Sequence, residues 1–479
     1  MNSKPREKKK VTLGFSIFTL LVLIAFIAAM LLVAKAPIVV VMILAWVLMI
    51  PFSLYLGYSL EEMESFAMDL IKPAVGVIAL MIVVGGMIAL WIASGTVPTL
   101  IYWGLKIVSP GAFLPIAFFL TSIVSMATGS SWAAVATIGA AMMGIGLGLG
   151  LPGGIVAGAV ISGSYFGNSF SPMADVTIMT SSVTNVKIWD HIKFMSVPML
   201  LAWGVSAVLY TVIGLGYSNT AIDSAVVNGM LTSLSSTFKI HWFTLIPMIV
   251  TLVMMIRRNS ALISILVGSV IGAVVAVLFQ GFSLEAVMTY MSDGFSSSWD
   301  NELIATLLNR GGFASMYMLV AIIVGALGIG GILNGTGIFS TIVSSLGKQI
   351  KGIAGLSVTT FVGAALTNCI VGTYYFCISL CGTLFPPMYK KLGYKPENPA
   401  RIINNVANCL VPFLPWNIGC QYMMAQTGVS VKEFAPFLFF NMLIIVFDLV
   451  FGIFGIGAKK YTKEEMAAFA AEENTEAVS

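Results

Sequence analysis

Residues 163–180, GSYFGNSFSPMADVTIMT, interrupt a long apolar region with polar side chains, a proline and one carboxylate. Pro172 has no backbone N–H, so a helix that runs through this stretch loses a hydrogen bond there. Irregular backbone at membrane depth survives only where protein or a water-filled cavity surrounds it, because lipid cannot satisfy a free N–H or C=O. The stretch therefore predicts a broken membrane helix with polar groups gathered at the break.

The composition of the whole chain is typical of a membrane protein. Of 479 residues, 58% are hydrophobic and 9% are charged, whereas an average soluble protein is about 25% charged. The net charge is +4, and no basic face of the kind that binds nucleic acid is evident. The five cysteines and two histidines lack metal-ligand spacing, so we expect no resident cofactor. We conclude that the chain is an all-α polytopic membrane protein.

Apolar stretches of about 20 residues, the length that a membrane helix needs, give the organisation of the chain. We expect about 10–13 crossings, and the thirteen candidates are 11–33, 37–56, 71–93, 111–127, 132–149, 153–169, 194–215, 242–256, 261–279, 316–333, 356–384, 404–424 and 436–456. Residues 132–149 also fit one half of a re-entrant hairpin. Residues 356–384 are too long and too polar for one plain span.

The distribution of basic residues predicts the orientation. Residues 4–10 carry four lysines and an arginine, which places the N-terminus in the cytoplasm by the positive-inside rule. Arg257, Arg258 and the lysines near residues 390–395 and 459–463 mark loops that prefer the same side. We divide the chain into a basic N-terminus (1–10), leading helices with a loop (11–70), a first repeat (71–216), a connecting segment with two helices (217–310), a second repeat (311–457) and a tail (458–479).

An internal repeat supports this division, because many transporters are built from two halves. Glycine, proline and aromatic residues recur in the same order at a nearly constant spacing. The matches are Gly95-Thr96 with Gly335-Thr336 at an offset of 335 − 95 = 240, and Gly129 with Gly372, Trp132 with Tyr375 and Pro172 with Pro415 at 372 − 129 = 243.

Polar interruptions inside apolar runs are the candidate binding residues. The break at 126–132 supplies Thr128, Ser130 and Ser131, and its repeat partner supplies Asn368 and Thr373. Helix ends that face each other across such a break offer free carbonyls to a cation and free amides to an anion. Packing through small residues, with hydroxyls bonded back to the helix, is the alternative.

The break in 163–180 supplies Asn168, Ser171 and Asp175. Asp175 is the only carboxylate between Asp69 and Asp190. An acid inside a membrane is costly and is therefore a functional candidate. Asp175 could hold Na⁺ or accept a proton, and its structural alternative is a helix cap near an interface.

The polar stretch 401–417 is the repeat partner of 163–180. Its candidates are Arg401, Asn404, Asn405 and Asn417. The amides can coordinate a cation or bond a substrate, but they cannot carry a proton. Arg401 could pair with a carboxylate of a substrate or of the protein, or extend to water. Asp448 lies in the last apolar run without an identifiable partner.

Four motifs together resemble the NhaC-type Na⁺/H⁺ antiporter family, which includes Na⁺/H⁺ antiporters and exchangers of malate and lactate. They are WIASGTVPTLIYWGLKIVSP (91–110), ATGSSW (127–132), AGAVISGSYFGNSFSPMADVT (157–177) and WDHIKF (189–194), and the resemblance covers 71–456. It implies inverted repeats, discontinuous helices that meet near mid-membrane, and alternating access. Family members typically carry acids near positions 168, 404 and 405, where this chain has amides, so Asp175 would be the one carboxylate left in the core.

The preferred function is a secondary active antiporter of Na⁺ and/or H⁺ in a bacterial-type cytoplasmic membrane, with Asp175 as a tentative Na⁺ ligand. Exchange of a small organic acid or amino acid coupled to Na⁺ or H⁺ is the alternative. A channel would need a repeated filter or charged ring, and an enzyme would need a catalytic cluster that the sequence lacks. The expected partners are the lipid bilayer and a small ion or organic solute, and no nucleic acid; a homodimer stays open.

Overall fold

The computed structural model describes residues 8–218, 224–299, 302–346 and 352–466. Within these ranges the chain is helical, and the only β-pairing is one isolated bridge between Tyr394 and Lys460. The same ranges contain nine helices that are long and apolar enough to cross a membrane, or up to eleven spans if each of two sharply bent helix pairs counts as one. The all-α polytopic class is confirmed, and the count of nine to eleven overlaps the lower end of the predicted range of 10–13.

The helices fall into four consecutive groups. Two leading helices, α1 (Leu13–Ala28) and α2 (Ile38–Tyr55), precede a first group of α3 (Leu60–Ala93), α4 (Thr96–Ile107), α5 (Pro110–Thr128), α6 (Ser131–Ala134), α7 (Ala140–Gly148), α8 (Gly153–Phe170), α9 (Asp175–Val183) and α10 (Ile188–Gly216). The connecting group contains the two predicted helices, α12 (Ile246–Ile256) and α13 (Ala261–Val275), and three more that were not predicted, α11 (Ser224–Thr237), α14 (Leu284–Asp293) and α15 (Glu302–Leu308). The last group is α16 (Ala314–Gly335), α17 (Ile338–Leu346), α18 (Gly352–Val371), α19 (Tyr374–Leu384), α20 (Pro386–Lys391), α21 (Glu397–Cys409), α22 (Ile418–Thr427), α23 (Val431–Phe434) and α24 (Phe439–Ile453).

Helix α3 begins earlier than the apolar pattern predicts. It starts at Leu60 rather than at residue 71, because Ser59 and Glu62 form a reciprocal capping box. Because the first turns of α3 are acidic, a hydropathy analysis does not detect this part of the helix. Helix α3 is therefore 34 residues long, longer than the hydrocarbon core requires.

The breaks at residues 129 and 372 have the same backbone conformation. Gly129 has φ 69° and Gly372 has φ 70°, a region that glycine adopts without steric cost. The next residues are both extended, with φ/ψ of −142°/116° at Ser130 and −144°/132° at Thr373. Helices α6 and α19 then begin at equivalent positions, and the predicted span 356–384 is indeed broken.

The second pair of breaks repeats at the same spacing. Ala174 precedes α9 with φ/ψ of −72°/137°, and Asn417 precedes α22 with −77°/140°, so the offset is again 417 − 174 = 243. The predicted single span 404–424 is wrong, because α21 ends at Cys409 and α22 begins at Ile418. Pro412 and Pro415 lie in this interruption, where they remove backbone donors.

The first predicted repeat match needs a correction. Gly95 ends α3 with φ 79°, and the glycine with the corresponding role after α16 is Gly337, with φ 76°. Gly335 is still helical and packs against the ring of Phe66. The offset is therefore 337 − 95 = 242, which agrees more closely with 243 than the predicted pairing does.

Helices α10 and α24 run in opposite directions. Tyr210 near the end of α10 contacts Phe439 at the start of α24, with ring centroids 5.0 Å apart. Phe194 near the start of α10 and Phe451 near the end of α24 both lie against the guanidinium of Arg401. This antiparallel pair gives the molecule two defined ends.

Corresponding helices of the two groups start at opposite ends of this pair. Gly111 in the first turn of α5 packs against Gly214 at the end of α10. Ser357 in the early part of α18 packs against Gly452 at the end of α24. Since α5 and α18 correspond in the 243-residue repeat, their opposite starting points support the predicted inversion.

Helix α8 is held tightly against α5 by its glycines. A Cβ at Gly163 would collide with the carbonyl of Phe118, and one at Gly167 would lie 2.6 Å from the backbone nitrogen of Met126. Real Cβ atoms do not approach backbone so closely, so neither position accepts a side chain without a helix shift. This contact fixes the end of α8, where the polar side chains begin.

Candidate functional site

The broken helices meet around a small space of about 60 Å³, which we call the inner cavity. Its lining comes from both halves of the chain and consists of Leu80, Ser130, Ser131, Trp132, Tyr165, Asn168, Asp175, Tyr374, Tyr375 and Asn408. The helix starts after three breaks contribute to it, since Ser131, Asp175 and Tyr374 are the first residues of α6, α9 and α19. Among the described residues that line it, Asp175 carries the one carboxylate.

Asp175 binds hydroxyl groups from the opposite half. Its Oδ2 accepts a hydrogen bond from Tyr374 Oη at 2.7 Å and another from Tyr375 Oη, and its Oδ1 accepts one from the backbone N–H of Val176 at 2.8 Å. A carboxylate in the first turn of a helix also meets the positive end of the helix dipole. The second half of the chain therefore holds the acid of the first half.

A larger open cavity of about 590 Å³, the vestibule, leads to the inner cavity. It is lined by Leu80, Thr128, Gly129, Ser130, Pro172, Met173, Asp175, Ile178, Ile188, Trp189, Met255, Arg258, Asn259 and Ala261. Leu80, Ser130 and Asp175 line both spaces, so they lie at the junction. Asp175 is exposed, and it stands at the junction of the two spaces.

Two buried oxygens of the inner cavity have no hydrogen-bond partner among the described residues. They are Tyr165 Oη and Asn168 Oδ1, on side chains only 1% and 4% exposed. Asn168 Nδ2 lies 3.5 Å from Asn408 Oδ1, and Asn408 Nδ2 donates to Ser169 Oγ at 2.7 Å. Buried polar atoms are normally paired, so these two oxygens mark a place for a bound cation or water.

An aromatic stack borders the inner cavity. Trp132 lines the inner cavity but not the vestibule. The ring of Tyr422 lies 4.4 Å from the Trp132 ring in a stacked arrangement, and Tyr422 Oη donates to the Trp132 carbonyl at 3.0 Å. Trp132 belongs to the first half and Tyr422 to the second, so the stack would separate if the halves moved apart.

The structure gathers some of the predicted residues at the cavities and places others nearby. Asn168, Asp175, Ser130 and Ser131 line the inner cavity, and Thr128 lines the vestibule. Ser171 and Asn417 stabilise the interrupted backbone, since Ser171 Oγ accepts a hydrogen bond from Met173 N and Asn417 Oδ1 accepts one from Gly419 N. Asn417 Nδ2 also donates to Asn368 Oδ1, and Thr373 occupies the N-cap position of α19 without a side-chain capping bond.

The predicted residues of α21 form a separate buried network with Asp448. Arg401 Nε lies 2.9 Å from Asp448 Oδ1, and Asn405 Nδ2 donates to Asp448 Oδ2 at 2.7 Å. Asn404 Nδ2 lies 3.3 Å from Asn405 Oδ1. The partner of Arg401 is thus a carboxylate of the protein, which decides between the alternatives left open by the sequence.

This network corrects the expectation that Asp175 is the one carboxylate in the core. Asp448 is fully buried, whereas Asp175 is exposed to the vestibule. The pairing of Asp448 with Arg401 joins α24 to α21. The core therefore contains a second acid, but this acid is already neutralised by an arginine.

Sequence reasoning missed several residues that line the inner cavity. Tyr374 and Tyr375 were not predicted, although Tyr375 matches Trp132 in the repeat and so marks an equivalent position. Asn408 lies within the predicted polar stretch 401–417 but was not singled out. Tyr165 gave no signal, because a tyrosine in an apolar run is most often a packing residue.

The broken helices of both halves close around one polar cavity that adjoins the vestibule and is bordered by an aromatic stack. This arrangement is typical of a secondary active transporter. Comparison with known proteins gives the family. The sequence profile of the Na⁺/H⁺ antiporter family matches residues 9–214 and 163–456. The chain belongs to this family, and the predicted NhaC-type resemblance is confirmed.

Curated relatives are similar over nearly their whole length. The chain is 32% identical to the malate-2H⁺/Na⁺-lactate antiporter of Bacillus subtilis, over 94% of this chain and 96% of that protein. It is 32% identical to the Na⁺/H⁺ antiporter NhaC of Alkalihalophilus pseudofirmus, over 95% and 98%. It is 30% identical to the arginine/ornithine antiporter ArcD of Halobacterium salinarum, over 85% and 84%. The chain is therefore a multi-pass membrane antiporter of this family.

Proposed function

We propose that the protein exchanges Na⁺ for H⁺ across the cytoplasmic membrane and that Asp175 carries each ion in turn. The observation that carries this proposal is the position of Asp175, whose carboxylate stands at the junction of the inner cavity and the vestibule. A protonated carboxyl has no negative charge to offer Na⁺, and a carboxylate that holds Na⁺ has little affinity for a proton. Mutual exclusion at one group is what exchange requires.

The inner cavity has the chemistry and the size for a small hard cation. Its oxygen donors are the Asp175 carboxylate, the Ser130 and Ser131 hydroxyls, and the unpartnered oxygens of Tyr165 and Asn168. Oxygen ligands of this kind suit hard cations. A volume of about 60 Å³ accommodates an ion with one or two waters, since a water occupies about 30 Å³ in the liquid.

The hydroxyls of Tyr374 and Tyr375 hold the unloaded carboxylate. Each donates a hydrogen bond to Asp175 Oδ2, and bonds to a charged acceptor contribute about 1.5–3 kcal/mol each. An arriving Na⁺ must displace at least one of them. The two tyrosines therefore couple occupation of Asp175 in the first half to the position of α19 in the second half.

We propose that the vestibule opens to the cytoplasm. Arg258 and the start of α10 line it, and the start of α10 lies at the same end of the molecule as Lys459, whose Nζ is 5.4 Å from the Phe194 ring. The positive-inside rule assigns this basic end to the cytoplasmic side. The same rule places the N-terminus in the cytoplasm. The membrane is the cytoplasmic membrane of a bacterial-type cell, and the protein acts in it as a transporter and not as an enzyme.

The experiment is reconstitution in liposomes that contain a pH-sensitive dye, in buffer free of organic solutes. An outward Na⁺ gradient should acidify the lumen of wild-type vesicles, because H⁺ enters as Na⁺ leaves. Asp175→Asn should abolish this response. Asp190→Asn is the matched control, since Asp190 is an exposed acid near the vestibule that does not line either cavity. An unchanged response in Asp175→Asn would remove this residue from the mechanism.

Exchange of an organic acid or amino acid is a second candidate, and the vestibule favours it. Its volume of about 590 Å³ admits a small organic solute, whereas the inner cavity does not. Arg258 and Asn259 in its lining could bind a carboxylate. Relatives named for malate and lactate and for arginine and ornithine belong to the same group of similar proteins. A response to Na⁺ that appears only after malate, lactate, arginine or ornithine is added would favour this candidate over Na⁺/H⁺ exchange.

A further inference from the structure

A pocket separate from the vestibule lies between the starts of α10 and α21 and the end of α24. It has a volume of about 270 Å³ and is lined by Lys193, Phe194, Val197, Pro198, Arg401, Phe451, Ile456, Gly457 and Lys459. We call it the basic pocket, because three separate parts of the chain each contribute a cation to it. None of these residues lines the inner cavity or the vestibule.

The basic pocket lies where a lipid-facing stripe of α10 begins. Large apolar side chains at a spacing of three or four residues are more than 40% exposed along this helix, as expected for a face in contact with lipid: Val197, Leu201, Val205, Val208 and Val212. Lys193 precedes Val197 by one helical turn and is exposed. Lys193 therefore marks the level at which hydrocarbon gives way to lipid headgroups.

The opposite wall of the pocket has the same composition. Ile456, which lines the pocket directly after the end of α24, is 45% exposed, and Phe454 beside it, outside the lining, is 74% exposed. Lys459 follows and lies over the ring of Phe194 at 5.4 Å. Both walls thus change from exposed apolar side chains to a lysine at the same end of the molecule.

The charges of the pocket do not cancel. Arg401 is paired with Asp448, and Lys459 Nζ lies 3.1 Å from Glu397 Oε1. Lys193 forms no ion pair within the part of the chain that the structure describes. The positive charge of Lys193 is therefore not balanced within the pocket. It lies beside Arg401 and Lys459, whose N–H donors are only partly occupied by their carboxylate partners.

We propose that the basic pocket binds an anionic phospholipid, with its phosphate between Lys193 and Lys459 and an acyl chain along Val197 and Ile456. A phosphodiester supplies the single negative charge that the pocket lacks. The exposed apolar walls favour a lipid over a free phosphate ion, because only a lipid places an acyl chain beside them. Basic pockets between membrane helices on the cytoplasmic side recur as headgroup sites. The proposal holds whichever ion or solute the protein exchanges.

The position of Arg401 gives the bound lipid a role. This side chain lines the pocket and is only 4% exposed, and it holds the buried Asp448. A phosphate above it would neutralise the rim of the pocket and cover the buried ion pair from water. We therefore expect the lipid to stabilise the contact between α10, α21 and α24.

The test measures lipid binding without transport. Purified protein in detergent is titrated with short-chain phosphatidylglycerol, with the matching phosphatidylcholine and with inorganic phosphate. Native mass spectrometry counts the bound lipid, and the thermal unfolding midpoint is measured in parallel. Phosphatidylglycerol should bind and raise the midpoint, and the other two should not. Lys193→Gln should weaken binding about fivefold, the effect of about 1 kcal/mol for one lysine near a lipid surface.

Matched variants keep the result interpretable. Lys391→Gln removes the same charge from an exposed lysine outside the pocket and should bind phosphatidylglycerol as the wild type does, and Lys193→Arg should restore binding. Equal binding by Lys193→Gln and wild type would overturn the proposal. Equal binding of phosphatidylcholine, or full competition by inorganic phosphate, would also overturn it, because the first indicates an unspecific annular lipid and the second a site for a free anion.

Discussion

Replacing Asp448 by asparagine should destabilise the protein through a charge left without a partner. Asp448 is fully buried and neutralises Arg401, whose side chain is 5% exposed. The asparagine side chain keeps the shape and still accepts a hydrogen bond from Asn405, so the change removes the charge and little else. Arg401 then remains as an uncompensated buried cation.

The expected magnitude follows from the burial of both groups. Removing one partner of a buried ion pair costs about 3–5 kcal/mol. The unfolding entropy is about 2.1 cal/mol/K per residue, which gives about 1 kcal/mol/K for the 479-residue chain. The midpoint of thermal unfolding should therefore fall by about 3–5 °C.

The assay is intrinsic fluorescence during heating of the purified protein, with three comparison variants. Arg401→Gln should destabilise the protein to a similar extent. The double variant Arg401→Gln, Asp448→Asn should recover most of the loss, because neither charge is left alone. Glu465→Gln breaks the Lys395–Glu465 pair, which has a similar length, at 2.8 Å against 2.9 Å, but much greater exposure, and should leave the midpoint unchanged.

A different pattern would refute this account of Arg401. If Asp448→Asn leaves the midpoint unchanged while Arg401→Gln raises the KM for an organic acid, Arg401 binds substrate and not Asp448. Additive losses in the double variant would also contradict the pairing, since two residues that act as a pair must be coupled.

Three further predictions concern the inner cavity and its supports. Tyr375→Phe removes one hydroxyl that competes with Na⁺ for Asp175. The KM for Na⁺ in the vesicle pH assay should therefore fall about tenfold, the effect of losing a bond of about 1.5 kcal/mol. A higher KM would instead mean that the tyrosine oxygen is a ligand of the ion. Gly167→Ala should lower the unfolding midpoint through a clash with α5, by about 1–3 kcal/mol of overpacking, whereas Gly204→Ala, with open space around it, should not. Trp132→Ala removes the stack with Tyr422 and should give an uncoupled Na⁺ leak, measured as ²²Na⁺ efflux without proton movement. Tight coupling of Na⁺ and H⁺ in this variant would mean that the stack is not a barrier to the ion.

Local signals in the sequence predict the breaks of the fold well. Gly129 and Gly372 occupy a left-handed conformation that other residues rarely adopt, and Pro172 and Pro415 remove backbone donors. These constraints act within a few residues, so the spacing of the glycines and prolines in the sequence reproduces the spacing of the helix breaks. The exception is Gly335, where a glycine used for close packing resembles one used to end a helix.

Contacts between distant segments could not be predicted in the same way. Arg401 and Asp448 are separated by 448 − 401 = 47 residues and meet only because α21 packs on α24. The hydroxyls of Tyr374 and Tyr375 reach Asp175 because helix starts from both halves converge. A single sequence shows which residues are costly in a membrane, but the packing of the helices decides which of them become partners.

Equilibrium binding of ²²Na⁺ to the purified protein, in buffer free of organic solutes, tests the central claim most directly. The account predicts saturable binding to the wild type and to Asp190→Asn, loss of binding in Asp175→Asn, and competition by protons as the pH falls. Unchanged Na⁺ binding by Asp175→Asn, at a pH where the wild type binds, would contradict the claim that the cavity shared by the two halves holds the ion through this carboxylate.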